Sequence, residues 1–172
     1  MCCHFGVEVV PEKGGKDFGA KGDGVTNDTT AFLNAIAYAG TSGQGVVYVP
    51  TGTYILSPFT ISASVTIYGE GRNSLLKWAN SAGTASLIRC ITNLQHVTFR
   101  SVGIDGNKAN NTDGISYMAA LDFLAPNGSS LVVENVIFLN GRRHDIRLVG
   151  PLSSGETVAV DIRDCKFLNG SE

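Results

Sequence analysis

Two polar segments hold the residue types that could carry chemistry in this chain. The first, residues 105–114, is its longest polar stretch and includes Asp105, Asn107 and Asp113. The second, residues 142–147, reads Arg-Arg-His-Asp-Ile-Arg. Carboxylates and imidazoles transfer protons, and guanidinium groups pair with carboxylates. A solvated turn closed by an Asp–Arg pair is the alternative interpretation of the second segment.

The elements that would position these segments come from a repeat of short β-type sequences. The string S-V-G-I-D-G at 101–106 returns in altered form at 135–141 and at 164–170. The starts of these segments are 34 and 29 residues apart (135 − 101 and 164 − 135). Such a period, carried by short strands, predicts a solenoid with one coil per repeat. Asn140 and Asn169, which recur in it, are interpreted as a structural asparagine ladder.

Alternating apolar residues predict which side chains face the core. One expected inward series is Val65/Ile67, Val97/Phe99, Leu131/Val133 and Val160/Ile162, and the second is Val102/Ile104, Val136/Phe138 and Cys165/Phe167. Like positions should stack in parallel sheets, so that Ile104, Phe138 and Phe167 lie above one another and Cys165 is a small buried hydrophobe. The alternative fold, an antiparallel β-sandwich, would require short hairpins between mirrored strands.

One helix is predicted, at about residues 28–39. Its apolar face, spaced i, i+3, i+4, i+7, consists of Phe32, Ala35, Ile36 and Ala39. Asn27 or Asp28 is suited to cap its N-terminus, and Gly40 is the expected C′ residue. Such a helix would cover the first coil and its unpaired backbone edge.

Composition is typical of a chain that turns tightly and often. Of 172 residues, 43% are apolar, 16% are charged and 21 are glycine. We expect one domain at 17–172, preceded by a flexible lead-in at 1–16. The net charge of −2 leaves no basic footprint for nucleic acid. No apolar run approaches the ~20 residues of a membrane helix, no secretory signal is seen, and the cysteines lack zinc-site spacing.

The segment 17–54 resembles the opening of a known superfamily. This segment is similar to the start of proteins of the pectate-lyase superfamily: it has the string D-F-G-A-K-G-D-G-V-T-N-D-T, then a short helix, then G-V-V-Y-V-P-T-G-T-Y. The string V-G-I-D-G-N at 102–107 is similar to one of the later coils of that superfamily. The resemblance implies an all-β, right-handed parallel β-helix of about four to five coils with an N-terminal capping helix, here shortened. Glycines 19, 22 and 24 are expected at positive φ.

That superfamily includes polygalacturonase-like and rhamnogalacturonase-like enzymes, mannuronan epimerases and phage tailspike depolymerases. The resemblance therefore implies a domain that acts on or binds an acidic polysaccharide, as a lyase, hydrolase, epimerase or depolymerase. The string N-T-D-G at 111–114 matches the first acidic motif of the polygalacturonase-like hydrolases, but their further acids, Gly-His-Gly and Arg-x-Lys are absent. Glycoside hydrolysis requires two carboxylates.

In the epimerase-like relatives, a histidine and a group that neutralises the uronate carboxyl assist proton abstraction. His144 and one arginine would correspond here. The candidate catalytic residues are Asp105, Asp113, His144 and Asp145, and the candidate substrate-binding residues are Asn107, Arg142, Arg143 and Arg147.

The expected partner is a polysaccharide, with no nucleic acid and no membrane span. No cofactor or metal site is evident, and calcium is implied by the resemblance only. The expected location is extracellular or on a virion. Because nothing visible covers the C-terminal end of the solenoid, we also expect self-association through that end. The alternative function is a non-catalytic structural solenoid, such as a spike, an adhesin or a filament subunit.

Overall fold

Each of the three repeated segments begins at a corner residue whose backbone is left-handed. The φ angles of Ser101, Asn135 and Asp164 are 52°, 51° and 54°. The side-chain amide of Asn135 donates a hydrogen bond of 3.0 Å to the hydroxyl of Ser101. Few residues other than glycine adopt this conformation, and asparagine and aspartate are the commonest among them. The repeat therefore marks where the chain bends.

A computed structural model describes residues 15–42, 45–82, 86–90, 96–111, 119–124, 128–141, 144–149 and 157–168. The predicted lead-in at 1–16 lies almost wholly outside them. The helix α1 spans Thr29–Ser42, and short 3₁₀ turns lie at Gly15–Phe18 and Lys108–Asn110. The strands are β1 Asp23–Asn27, β2 Val46–Val49, β3 Gly52–Leu56, β4 Phe59–Ile61, β5 Val65–Trp78, β6 Ile88–Cys90, β7 His96–Asp105, β8 Ala119–Leu124, β9 Ser130–Glu134, β10 Ile137–Leu139, β11 His144–Val149, β12 Ala159–Arg163 and β13 Lys166–Leu168.

These strands form two sheets, and every strand pair in the described residues is parallel. The first sheet contains β1, β2, β3, β5, β7, β9, β10, β12 and β13, and the second has the order β4-β6-β8-β11. Strands that follow one another along the chain lie in different places on the coil, and each pairs with its counterpart one coil later. The predicted parallel sheets are confirmed, and the antiparallel sandwich is wrong.

Core side chains stack in columns along the axis, as predicted. Phe138 lies in register with Ile104 on one side and with Phe167 on the other. The rings of Phe138 and Phe167 are 5.1 Å apart and nearly parallel, at 5°. The same column continues back through Leu76 to Tyr54. Each column buries one apolar side chain per coil, which explains why the sequence repeats its apolar pattern.

The last described strands follow the same register but expose their apolar side chains. Val160 and Ile162 are 40% and 41% exposed, and Phe167 is 50% exposed. Cys165 is only half-buried, so its interpretation as a buried hydrophobe was wrong. The physical reason is position: no described strand stacks beyond β12 and β13 to cover these side chains.

The helix α1 covers the opposite end of the core. The predicted apolar face is confirmed, since its four residues are at most 1% exposed. The helix extends past Gly40, however, so the assignment of Gly40 as the C′ residue was wrong. A Cβ at Gly40 would lie 2.7 Å from the Cβ of Ala63, which indicates that this glycine allows close packing rather than ending the helix. At the N-terminus, Oδ1 of Asn27 accepts the backbone N–H of Thr29.

The turn before β1 and the start of that strand are fixed by Asp28 and by glycines at positive φ. Gly19, Gly22 and Gly24 have φ of 93°, 62° and 77°, as predicted. The two carboxylate oxygens of Asp28, which is buried, accept the N–H groups of Lys21 at 2.7 Å and of Gly22 at 3.1 Å. Asp28 thus holds this turn against the start of the helix.

Candidate functional site

The second sheet carries one row of polar side chains across its four strands. Thr60 lies in register with Arg89, Arg89 with Asp122, and Asp122 with Arg147. In the last three strands the polar residue lies between two apolar residues, which are Ile88 and Cys90, Leu121 and Phe123, and Ile146 and Leu148. Because strand side chains alternate, the apolar residues face the core side and the polar row faces outward.

Asp122 is buried although it lies on the outward face. Its side chain is 2% exposed, whereas the side chains of Arg89 and Arg147 are 39% and 26% exposed. The strand β8 is buried on both faces from Ala119 to Phe123. In this row, two partly exposed cations flank a carboxylate that is almost fully buried.

Among the described residues, three side chains hold the Asp122 carboxylate. The Nη1 of Arg147 donates to Oδ1 at 3.1 Å and to Oδ2 at 3.2 Å. The Nε of Arg89 lies 3.6 Å from Oδ2, an ion pair without a close hydrogen bond. The buried hydroxyl of Ser86 donates to Oδ2 at 3.2 Å and accepts the N–H of Ala119 at the same distance. Buried charges need such pairing to be tolerated.

Charges of both signs meet on this face of the second sheet. Arg89 and Arg147 contribute two positive charges, and Asp122 and Asp145, which shares a face of β11 with Arg147, contribute two negative charges. The side chains of Arg89 and Arg147 keep 39% and 26% of their surface exposed. A planar carboxylate matches the geometry of an exposed guanidinium.

Cys90 lies next to this row on the core side. Burial, with a smaller contribution from the charge of Asp122, raises the pKa of the Cys90 thiol to about 12. The thiol is therefore neutral at physiological pH. Because the thiolate is the nucleophilic form, Cys90 is a packing residue here and not a nucleophile.

The structure separates the residues that the sequence grouped at 142–147. Asp145 and Arg147 share the outward face of β11, because they are two residues apart on one strand. His144 is exposed at the start of the same strand. Its position is on the opposite face of the strand from Asp145 and on the same face as Ile146. Arg142, Arg143 and Asp113 lie outside the described residues.

Asp105 and Asn107 belong instead to a polar corner at the end of β7. Oδ1 of Asp105 accepts the N–H of Asn107 at 2.8 Å and the side-chain amide of Asn140 at 3.1 Å. The amide of Asn107 donates to the carbonyl of Trp78 and to Oδ1 of Asn80, both at 2.8 Å. These contacts join three successive coils. The asparagine ladder of Asn140 and Asn169 stays a prediction, because Asn169 lies outside the described residues.

Sequence reasoning missed Arg89, Asp122 and Ser86. The signal was available in the three-residue strings I-R-C, L-D-F and I-R-L at 88–90, 121–123 and 146–148. Each has one charged residue between two apolar residues, with spacings of 33 and 25 residues (122 − 89 and 147 − 122). A charged residue at a strand centre that recurs once per coil predicts an outward charged row.

Two further observations concern metal binding and membrane-spanning helices. Among the described residues, no group of three or more His, Cys, Asp or Glu side chains is arranged to hold a metal ion. In the same part of the chain, no helix has both the length and the hydropathy needed to cross a bilayer. Calcium stays an expectation from the resemblance alone.

Comparison with known proteins agrees with the parallel β fold. Residues 15–90 match a family described as rhamnogalacturonase A/epimerase, pectate lyase-like. The chain is 36% identical over 118 residues to the preneck appendage protein of Bacillus phage PZA, across 65% of this chain and 12% of that protein. It is 33% identical over 115 residues to mannuronan C5-epimerase AlgE6 of Azotobacter vinelandii, across 58% of this chain and 13% of that protein.

Solved structures give a similar result. Gene product 12 of bacteriophage phi29 in its pre-mature form superposes with a TM-score of 0.65 at 25% identity, covering 87% of this chain and 21% of that one. The A-module of mannuronan C-5 epimerase AlgE6 of Azotobacter vinelandii superposes with a TM-score of 0.63 at 26% identity, covering 74% and 37%. The family match, the relatives and the solved structures together support a pectate-lyase-like β-helix superfamily for this chain. It spans only 12–13% of the length of the two curated relatives.

Proposed function

We propose that this chain is a carbohydrate-active β-helix domain that binds or acts on an acidic polysaccharide at the row Arg89–Asp122–Arg147. The observation that carries the proposal is that two partly exposed arginines flank a buried carboxylate on one face of the second sheet. A uronate carboxylate is the anion that a polysaccharide would present to it. Relatives named as mannuronan C5-epimerases support this substrate class.

The proposed reaction is that of a lyase, hydrolase or epimerase, or of a phage depolymerase. Proton abstraction beside a uronate carboxyl needs a cation near that carboxyl and an acid–base group. Arg89 and Arg147 would supply the first, and Asp145, on the same face of β11 as Arg147, is the acid–base candidate of this row. The other predicted site residues stay predictions, and they are Asp105, Asp113, His144, Asn107, Arg142 and Arg143.

Further parts of the proposal concern shape and location. We propose a right-handed β-helix of about four to five coils, which is the number that the strand repeat suggests. We also propose that the protein acts outside the cell or on a virion. The similarity to proteins named as phage preneck appendages supports the virion as its location.

A binding experiment tests the proposed site. Polygalacturonate, alginate and neutral dextran are titrated into the protein in a calorimeter at low and high ionic strength. Arg89→Gln and Arg147→Gln should each weaken binding of the acidic polymers by about tenfold, because each removes one charged contact. Arg100→Gln is the matched control, since Arg100 is 53% exposed in an ion pair with Glu134 on the first sheet. Equal binding of dextran and of the acidic polymers would overturn the proposal.

An activity experiment tests the reaction. Three assays on the polymer that binds distinguish the possible reactions. Absorbance of an unsaturated product indicates a lyase, release of reducing ends indicates a hydrolase, and a change in epimer ratio by NMR indicates an epimerase. Asp145→Asn should abolish turnover while leaving binding within about twofold, because acid–base groups act in the transition state. If wild-type protein binds but never turns over, the domain is a binding module.

A second function is supported by the exposed apolar side chains at the C-terminal end. They are Leu148, Val160, Ile162, Phe167 and Leu168, all between 40% and 50% exposed. A structural solenoid that self-associates would cover them. Because α1 covers the other end of the core, two copies could use this surface only tail to tail. Sedimentation at increasing concentration should then show a dimer that Phe167→Ser disrupts, and a monomer at all concentrations would rule out this role.

A further inference from the structure

We propose that the outward face of the first sheet carries a second binding site, which takes the ring face of a neutral pyranose sugar. The site consists of Tyr48, Thr51, Tyr68 and Glu70 and is named the tyrosine shelf. It lies on a different sheet from the row Arg89–Asp122–Arg147 and goes beyond the function proposed for that row.

Two tyrosine rings lie side by side on the first sheet. Tyr48 of β2 is in register with Tyr68 of β5, and the ring centroids are 5.1 Å apart with a tilt of 37°. Both tyrosines are half-buried, whereas Val47 and Ile67, the preceding residues of their strands, are fully buried. Because strand side chains alternate, both rings face outward. Part of each ring is exposed, and together they form one aromatic surface.

The outward positions beside the rings hold smaller side chains. Val46 and Thr66 lie two residues before the two tyrosines on their strands, and Thr98 follows Thr66 in register on β7. All three are half-buried. The rings therefore project beyond their neighbours on this side, so a flat ligand can lie against them.

Hydrogen bonds hold Glu70 beside the rings. Its carboxylate accepts the hydroxyl of Tyr48 and, at 2.6 Å, the hydroxyl of Thr51. Its backbone N–H donates to the hydroxyl of Ser74 at 2.8 Å, and that hydroxyl donates to the carbonyl of Val49 at 2.7 Å. Ser74 is fully buried, so the exposed carboxylate of Glu70 is attached to a backbone that β2 fixes in place.

The shelf offers hydrogen-bond acceptors next to an apolar surface. The hydroxyls of Thr51 and Tyr48 lower the pKa of Glu70, so its side chain is a carboxylate at neutral pH. A carboxylate has about four lone-pair sites, and these two hydroxyls leave part of that capacity for a ligand. A pyranose ring presents C–H groups on its face to the tyrosines and can donate a hydroxyl from its edge to Glu70. Proline-rich peptides also bind aromatic surfaces, but proline has no N–H to donate.

Charges of both signs surround the shelf. Lys16 acts on the carboxylate of Glu70, and Arg72 is exposed two residues farther along β5. On the next strand, Arg100 is paired with Glu134 at 2.7 Å and is not part of the shelf. Because these charges are mixed in sign, the surface favours an uncharged ligand over an ion.

Titration with neutral oligosaccharides tests the inference. Cellohexaose, mannohexaose and a proline-rich decapeptide are each added to isotope-labelled protein, and the amide shifts are followed by NMR. At least one hexaose should bind with a dissociation constant of about 1 mM or lower and shift amides of β2 and of β5 near Glu70. Binding of neither hexaose, shifts confined to the second sheet, or binding of the peptide alone would overturn the inference.

Substitutions of the tyrosines identify the contact. Tyr48→Ala and Tyr68→Ala should each weaken hexaose binding by about tenfold, because each removes one ring. Tyr48→Phe keeps the ring, loses the hydrogen bond to Glu70 and should weaken binding by about threefold. Tyr38→Ala is the matched control, since Tyr38 is a half-buried tyrosine on α1 whose ring lies 5.5 Å from that of Phe18. Unchanged affinity in both alanine variants would overturn the inference.

A second variant covers the case in which an alanine variant does not fold. Tyr68→Leu keeps apolar bulk at the same position without an aromatic face, and it should lose hexaose affinity to a similar extent. Wild-type protein separates the two proposals. If a hexaose binds at the shelf and no acidic polymer binds, the function proposed for the row fails and the shelf stands. If acidic polymers bind and no hexaose does, the shelf fails alone.

Discussion

A single nitrogen of Arg147, Nη1, donates to both carboxylate oxygens of Asp122, at 3.1 and 3.2 Å. The two partners differ in their access to water, since Asp122 is 2% exposed and Arg147 is 26% exposed. If the pair is broken, the guanidinium can turn toward solvent and the carboxylate cannot. The two ends of this ion pair should therefore respond differently to substitution.

Removing Arg147 should destabilise the protein more than neutralising Asp122. Arg147→Met leaves a buried charge short of a partner and should lower the free energy of unfolding by about 3 kcal/mol. Asp122→Asn leaves two arginines that remain partly hydrated and should cost about 1–2 kcal/mol. Urea denaturation followed by circular dichroism measures both values. Arg100→Met, in an exposed pair with Glu134, is the control and should cost less than about 1 kcal/mol.

Two glycines before β1 should differ in their tolerance of alanine. Both Gly19 and Gly22 have positive φ, but a Cβ at Gly19 would meet nothing within 4 Å, whereas one at Gly22 would lie 2.8 Å from the ring of Tyr54. Gly19→Ala should therefore cost about 1 kcal/mol from backbone strain alone. Gly22→Ala should cost about 3 kcal/mol because overpacking adds to the strain. Equal unfolding midpoints for the two variants would contradict the close contact with Tyr54.

Asp23 should stabilise the folded protein at neutral pH, and this stabilisation should be lost in acid. Hydrogen bonds from the backbone N–H groups of Thr26 and Val25, and from the hydroxyl of Thr26, lower the pKa of Asp23 from 3.8 to about 2. A carboxylate whose pKa is lower in the folded state stabilises that state above the unfolded value, and the stabilisation is lost as the pH falls toward the folded value. Asp23→Asn should thus lower the thermal midpoint at pH 7, and the difference from wild type should shrink below pH 4. A difference that is constant from pH 7 to pH 2 would exclude this linkage.

Cys90 should resist alkylation in the folded protein. Its thiol is buried and its pKa is raised to about 12, so the reactive thiolate is scarce at pH 8. Cys165 is half-buried at the exposed end of the core and should react with iodoacetamide more than about tenfold faster. Peptide mapping by mass spectrometry follows the two sites separately. In urea the two cysteines should react at similar rates, and similar rates in native buffer would argue against the burial of Cys90.

The sequence predicted the core of this fold well because the core is periodic. The column through Ile104, Phe138 and Phe167 follows from alternation within strands and from the repeat between them, and both are visible without tertiary information. The end of the helix was less predictable. Gly40 has the residue type of a helix terminator, and only its contact with Ala63 explains why the helix continues.

The candidate site was predicted only in part, for a related reason. Arg147 was identified because it lies in a conspicuous cluster of charges. Its partner Asp122 lies 25 residues earlier (147 − 122) between apolar residues, where a single carboxylate attracts little attention. Two residues that are distant in sequence meet because a coil returns to the same place. Their pairing depends on the register between strands, and the pattern of residue types along one strand does not reveal that register.

The left-handed corners at Ser101, Asn135 and Asp164 have a practical consequence for protein engineering. The coils they delimit differ by five residues in length (34 and 29), yet the strands on either side stay in register. The surplus residues are therefore accommodated between the strands and not within them. A whole coil grafted from one corner to the next should lengthen every column by one member. Such duplication offers a route to longer β-helical rods of chosen charge sequence.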